Sequence, residues 1–137
     1  MYMNILNVAL IQHKAVANDI TSNLELGLQY IRKAKDLGAD IVLFPELWSN
    51  GYSEPYKGAF LNPFDERYEK ERMDWLNDAI DEESDYVHAF QNVAREFQIG
   101  IVITYLSKGR SAPQNVALVI DKTGDILMKL RFYVSTL

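Results

Sequence analysis

The sequence contains no cysteine. Disulfides, thiolate metal sites and cysteine nucleophiles are therefore excluded within these residues. No apolar run approaches the roughly 20 residues of a membrane-spanning helix, and the N-terminus lacks the basic, apolar and small-residue segments of a signal peptide. The expected compartment is cytoplasmic, with no membrane partner. Lys and Arg number 14 against 19 Asp and Glu, giving a net charge of -5, and the basic residues are scattered rather than gathered on one stretch. That pattern gives no expectation of a nucleic-acid partner. The two histidines, His13 and His88, have no second ligand at metal-binding spacing, so they read as structural residues and no metal is expected. Glycine-rich phosphate cradles are missing, and none of Ser49, Ser107 or Ser111 stands in a Gly-x-Ser-x-Gly elbow. The acidic run Asp81, Glu82, Glu83 lacks the alternating oxygens and central glycine of a Ca2+ loop and reads as a solvated helix boundary.

What remains is the composition of an ordinary globular chain. Hydrophobic residues make up 48% and charged residues 24% of 137 positions, enough for one domain, or most of one, with a sizeable core. Residues 7–12, Asn-Val-Ala-Leu-Ile-Gln, form a short apolar run suited to a strand buried on both faces. Asn18 or Asp19 can cap a helix with a stripe of Ile20, Leu24, Leu28, Ile31 and Ala34, and Gly38 can end it after Lys33 and Lys35. A second strand covers residues 41–44. Residues 47–65 form a long aromatic loop, which is either a wall of a site or a cover over the core edge. A helix is expected over 66–80, and a cleaner one follows a cap at Ser84 or Asp85, with Tyr86, Phe90, Val93, Ala94 and Phe97 on one face. Strands at 99–106, 116–120 and 126–130 follow, the last two joined by the turn Asp121-Lys122-Thr123-Gly124. The fold class is α/β, with about five strands and three helices in a single domain over residues 1–137.

Within that frame, Ile41-Val42-Leu43-Phe44 delivers Pro45 and then Glu46 to the carboxyl end of a strand, where ligands gather in open α/β sheets. Taken alone, this acid is equally well a site residue or an ordinary loop carboxylate.

Phe44-Pro45-Glu46-Leu47-Trp48 followed by Gly51-Tyr52 resembles the nitrilase (carbon-nitrogen hydrolase) superfamily. The likeness extends to the opening strand, the helix end Ala-x-x-x-Gly-Ala-Asp at residues 34–40, Ala94-Arg95-Glu96-Phe97, the segment 115–121 and the turn at Gly124, covering roughly residues 4–131. The resemblance implies the N-terminal portion of an α-β-β-α sandwich. It also implies cofactor-free hydrolysis of non-peptide C–N bonds in small-molecule amides, carbamoyl compounds or nitriles. The implied triad is Glu, Lys and Cys: a thiolate attacks carbon, a glutamate moves protons, and a lysine stabilises developing charge. Glu46 would be the general base, Trp48 and Tyr52 pocket walls, and a homo-oligomer through sheet-flanking helices is implied.

The sequence then departs from that pattern. Counting from Gly124 places the family's Lys-x-His-Leu lysine at Phe132, and Phe132-Tyr133-Val134-Ser135 does not match. Lys129, three residues earlier, stands where relatives carry an ordinary basic strand residue. The nucleophilic cysteine would lie beyond Leu137. The expectation is the N-terminal half of such a hydrolase, cut short near residue 131 by a frameshift, premature stop or fragmented gene, and inactive by itself. The competing expectation is a noncatalytic α/β module that binds a small ligand or another subunit.

Overall fold

A computed structural model describes residues 4–59, 61–109 and 113–132. Five strands form one sheet: β1 (Val8–Leu10), β2 (Ile41–Leu43), β3 (Gly100–Ser107), β4 (Gln114–Ile120) and β5 (Ile126–Phe132), in the order β1-β2-β3-β4-β5. The first three run parallel because helical crossovers separate them, and β4 and β5 run antiparallel because short connections fold them straight back. The helices are α1 (Ile20–Asp36), α2 (Glu69–Asn77) and α3 (Asp85–Phe97). The α/β class, the strand number and the helix number agree with the sequence reading. The opening strand is shorter than residues 7–12, and the stretch 133–135 lies outside the described residues.

Asp19 caps α1 by accepting from the Ser22 amide at 2.9 Å, satisfying a free N–H of the first turn. The fully buried face of α1 is Asn23, Gly27, Ile31 and Ala34, while Ile20, Leu24 and Leu28 are only half-buried. The helix is thus turned partly away from its aliphatic stripe. Gly27 explains the turn: a Cβ there would stand 2.9 Å from Phe90 Cζ and 3.2 Å from Trp48 Nε1, so only glycine lets α1 approach α3 this closely. Ser84 caps α3, which buries Tyr86, Val87, Phe90, Val93 and Ala94 against the sheet.

The expected helix over 66–80 divides into a 3-10 turn at Glu66–Tyr68 and α2. Tyr68 provides no side-chain cap, and α2 buries no residue. Its exposed faces carry the pairs Arg72–Glu69 and Lys70–Asp74. Beyond it, Ala79 is buried and Ile80 bridges to Ser107 at the end of β3.

Side chains alternate across the sheet. The face bearing Val42, Ile101, Ile103, Leu118 and Ile120 is buried under α1 and α3. The opposite face carries Leu10, Leu43, Met128, Leu130 and Phe132, all exposed, and among the described residues no helix covers it. The acidic run is more than a solvated boundary: Glu82 accepts from Lys129 Nζ of β5 on the helix side of the sheet, with both side chains substantially buried.

Candidate functional site

The pairing of β2 ends at Leu43, and the Phe44 amide reaches Val102 O at 3.1 Å before Pro45 turns the chain away. Glu46 follows, and Leu47 adopts a left-handed conformation with φ 50°. The Leu47 carbonyl then receives the amides of Asn50, Gly51 and Tyr52 at 3.2, 3.0 and 3.3 Å, closing a tight elbow. Gly51 is required in it. Its φ is +71°, and a Cβ would lie 2.5 Å from the Val16 carbonyl oxygen.

Four hydrogen bonds tie this elbow to the sheet. The Trp48 amide donates to Thr104 Oγ1 at 3.0 Å, and the Thr104 hydroxyl donates to the Pro45 carbonyl. Ser49 Oγ accepts from the Leu106 amide at 3.1 Å. Asn115, at the start of β4, donates through Nδ2 to Glu46 Oε1. Glu46, Thr104, Asn115, Ala117 and Phe132 together line a cavity of about 310 Å³ on the uncovered side of the sheet.

The structure separates the three residues singled out from the sequence. Glu46 is exposed at the cavity. Trp48 is buried in the core, 1% exposed, with Nε1 donating to the Asn23 carbonyl at 2.8 Å and its ring against Phe44 and Tyr30. Tyr52 is 57% exposed at the far end of the elbow and does not line the cavity around Glu46. Lys129 shares the helix-covered face with Leu118, whereas Glu46 is held over the other face by Asn115. It therefore does not meet Glu46.

Thr104 and Asn115 escaped the sequence reading. Thr104 sits within an apolar strand whose pattern gives no hint of a polar task. Asn115 opens the segment 115–121 that carried the family likeness, so its position was marked while its contact was not. The arrangement engages one oxygen of the Glu46 carboxylate with the Asn115 amide, and among the described residues no hydrogen bond is made to the other. Among the described residues no group of three His, Asp or Glu side chains is placed to hold a metal ion, and no helix is long and apolar enough to cross a membrane.

The sequence is 28% identical to an aliphatic nitrilase of Rhodococcus rhodochrous over 95% of this chain and 33% of that one. It is 25% identical to an arylacetonitrilase of Aspergillus niger over 90% of this chain and 35% of that one. The chain thus spans about a third of the length of these curated relatives. The fold is shared with an amidase from Nesterenkonia sp. AN1, solved with acrylamide added at its active-site cysteine. The TM-score is 0.65 at 21% identity, over 93% of this chain and 44% of that one. The carbon-nitrogen hydrolase family profile matches residues 7–132, and the chain belongs to that family.

Proposed function

We propose that Glu46 is the general base of a hydrolase acting on the non-peptide C–N bond of a small-molecule amide, carbamoyl compound or nitrile. The observation that carries this reading is the elbow after β2, which turns a carboxylate onto the uncovered sheet face with one oxygen held by Asn115 and no partner for the other among the described residues. A cysteine nucleophile and a charge-stabilising lysine complete the proposed triad, both supplied by residues outside this sequence. Glu46 would take the thiol proton as sulfur bonds the substrate carbon and pass it to the substrate nitrogen. That nitrogen departs as the amine when the C–N bond breaks or, for a nitrile, as ammonia once water has added. Glu46 would then take a proton from the water that releases the acyl group from sulfur. Tyr52 is proposed as a contact for a part of the substrate that extends beyond the Glu46 cavity, and Trp48, buried in the core, as a support of the elbow. No cofactor enters the scheme. A cytoplasmic location and assembly through the sheet-flanking helices α1 and α3 belong to the same proposal.

The chain by itself is proposed to be inactive. Purified chain incubated with a simple amide and a simple nitrile should give no turnover. Turnover that disappears in Glu46→Ala would overturn this. Reading the downstream DNA in the other two frames should recover a Lys-x-His-Leu segment and a cysteine-bearing strand. In the protein so completed, Glu46→Gln should lower kcat by about 100-fold or more, the range for a lost general base.

The second reading is a noncatalytic module that binds a small ligand or another subunit, and the uncovered apolar face weighs against it because such a surface drives association in water. Size-exclusion chromatography with a thermal melt separates the two. A cooperative monomer supports a genuine module, and association or aggregation supports a part of a larger hydrolase fold.

A further inference from the structure

We propose that Thr104 is a positioning residue whose hydroxyl holds the elbow in the one shape that brings Glu46 to Asn115. The proposal rests on the reading of Glu46 as a catalytic base only for its consequence; its geometry stands alone. A threonine hydroxyl offers one donor and can accept as well. Here it accepts from the Trp48 amide at 3.0 Å and donates to the Pro45 carbonyl, so one side chain takes the backbone groups on both sides of Glu46 and Leu47. Those groups need it. The β2 pairing has already ended at Leu43, and no strand partner is left for them. Trp48 and Thr104 are both buried, so water is a poor substitute.

Leu47 makes the same point from its backbone. Its φ of 50° is a conformation that a leucine rarely adopts, and such residues persist only where the surroundings over-determine them. The clamp and the three amides converging on the Leu47 carbonyl are those surroundings. Register then links the clamp to the carboxylate. Thr104 pairs with Ala117, and Asn115 is the next residue of β4 on that face. The strand pairing that aims the hydroxyl at the elbow thus also aims the Asn115 amide at Glu46. An ordinary strand threonine would serve equally well as valine. This one would not, because valine has the same shape and none of the hydrogen bonding.

The test is amide exchange by NMR on the isotopically labelled full chain. In Thr104→Val, the Trp48 amide should exchange about tenfold faster, matching the loss of one buried hydrogen bond, and the Asn115 side-chain amide signals should move toward their positions in Glu46→Ala. Amides of the Ile103–Leu118 pair should keep their protection. Thr104→Ser should restore both signatures. If Thr104→Val does not fold, the unsubstituted chain decides: a protected Trp48 amide in contact with a slowly exchanging Thr104 hydroxyl proton upholds the clamp. An unprotected Trp48 amide there, or Trp48 and Asn115 signals unchanged in Thr104→Val, would overturn it. None of these readouts needs turnover. Full activity of Glu46→Gln in the completed protein would remove the catalytic reading and leave the clamp standing.

Discussion

Asn115 and Glu46 stand 69 residues apart in the chain and meet where the start of β4 passes beneath the elbow after β2, amide donating to carboxylate. Replacing that amide by a second carboxylate turns attraction into repulsion without changing shape. Asn115→Asp should therefore lose roughly 0.2–1 kcal/mol at neutral pH, the range for like charges facing one another on a sheet. The loss should shrink as the pH falls into the carboxylate range, whereas the smaller effect of Asn115→Ala should not follow pH in this way. Denaturant unfolding of the two variants at neutral and acidic pH measures the difference.

Asn23 is the buried polar hub behind the elbow. Its Oδ1 accepts from the Val16 amide at 2.7 Å, its Nδ2 donates to the Val16 and Ser49 carbonyls at 2.7 and 3.2 Å, and its own carbonyl receives Trp48 Nε1 at 2.8 Å. Asn23→Ala strands the Val16 backbone groups and should cost about 1–3 kcal/mol. Trp48→Phe removes a single donor, leaves the backbone acceptor a second lone pair, and should cost less despite its larger change in volume. Chemical unfolding of both variants ranks them.

Two glycines with left-handed backbones should respond differently to alanine. At Gly38, with φ +85° and open space around the missing Cβ, only the backbone penalty applies, about 1–2 kcal/mol. At Gly51 a Cβ would also meet the Val16 carbonyl at 2.5 Å and Ala17 Cα at 3.0 Å, both backbone atoms that cannot swing aside. Gly51→Ala should be the more damaging by a clear margin in thermal melts, and it should displace the Trp48 and Tyr52 amide signals.

Burial, followed by the Asp81 carboxylate, pushes the Tyr105 phenol from 10.0 up to about 12. The neutral phenol is thus favoured by folding. Above pH 10 the unfolded chain releases its proton before the folded one, so this stability is present below pH 10 and falls as the pH rises toward 12. Tyr86, fully buried beside it, is pushed the same way. Phenolate absorbance should show Tyr105 and Tyr86 titrating after the exposed tyrosines. Tyr105→Phe should flatten the alkaline loss of stability.

How much of this was legible beforehand depends on the range of the forces involved. Strands betray themselves through local apolar runs, and α3 through Tyr86, Phe90, Val93 and Ala94 at helical spacing. Glu46 was visible because it follows an apolar strand and a proline. Trp48 is a pocket-wall candidate through the family motif it shares with Glu46, yet the left-handed Leu47 reverses the chain and sends the indole into the core. Nothing local announces that reversal in a leucine. Asn23 likewise takes a core position in α1 because its partners at Val16, Ser49 and Trp48 come from two separate loops. Thr104 and Asn115 acquire their tasks only through the β3–β4 register, which a single strand's sequence does not contain.

The uncovered sheet face yields the last expectation. Met128, Leu130 and Phe132 project from β5 on that side with exposures of 53%, 44% and 55%, and from Met128 the half-buried Val119 of β4 and Val102 of β3 continue the row to Leu43 and Leu10 at the opposite edge of the sheet. Over residues 128–132 the residues facing the helix side are Lys129 and Arg131, so the usual polarity is inverted there: charge lies toward the helices and oil toward solvent. A contiguous apolar face of this kind drives association in water. Introducing like-directed charge on it, as in Met128→Lys with Leu130→Lys, leaves the buried face untouched and should shift the chain toward monomer in sedimentation velocity. The reverse-face change Lys129→Met should leave association unaltered and act instead on stability, by stranding Glu82. If the double-lysine variant associates as strongly as the parent chain, the sheet face is not the contact, and the outer surfaces of α1 and α3 become the place to look.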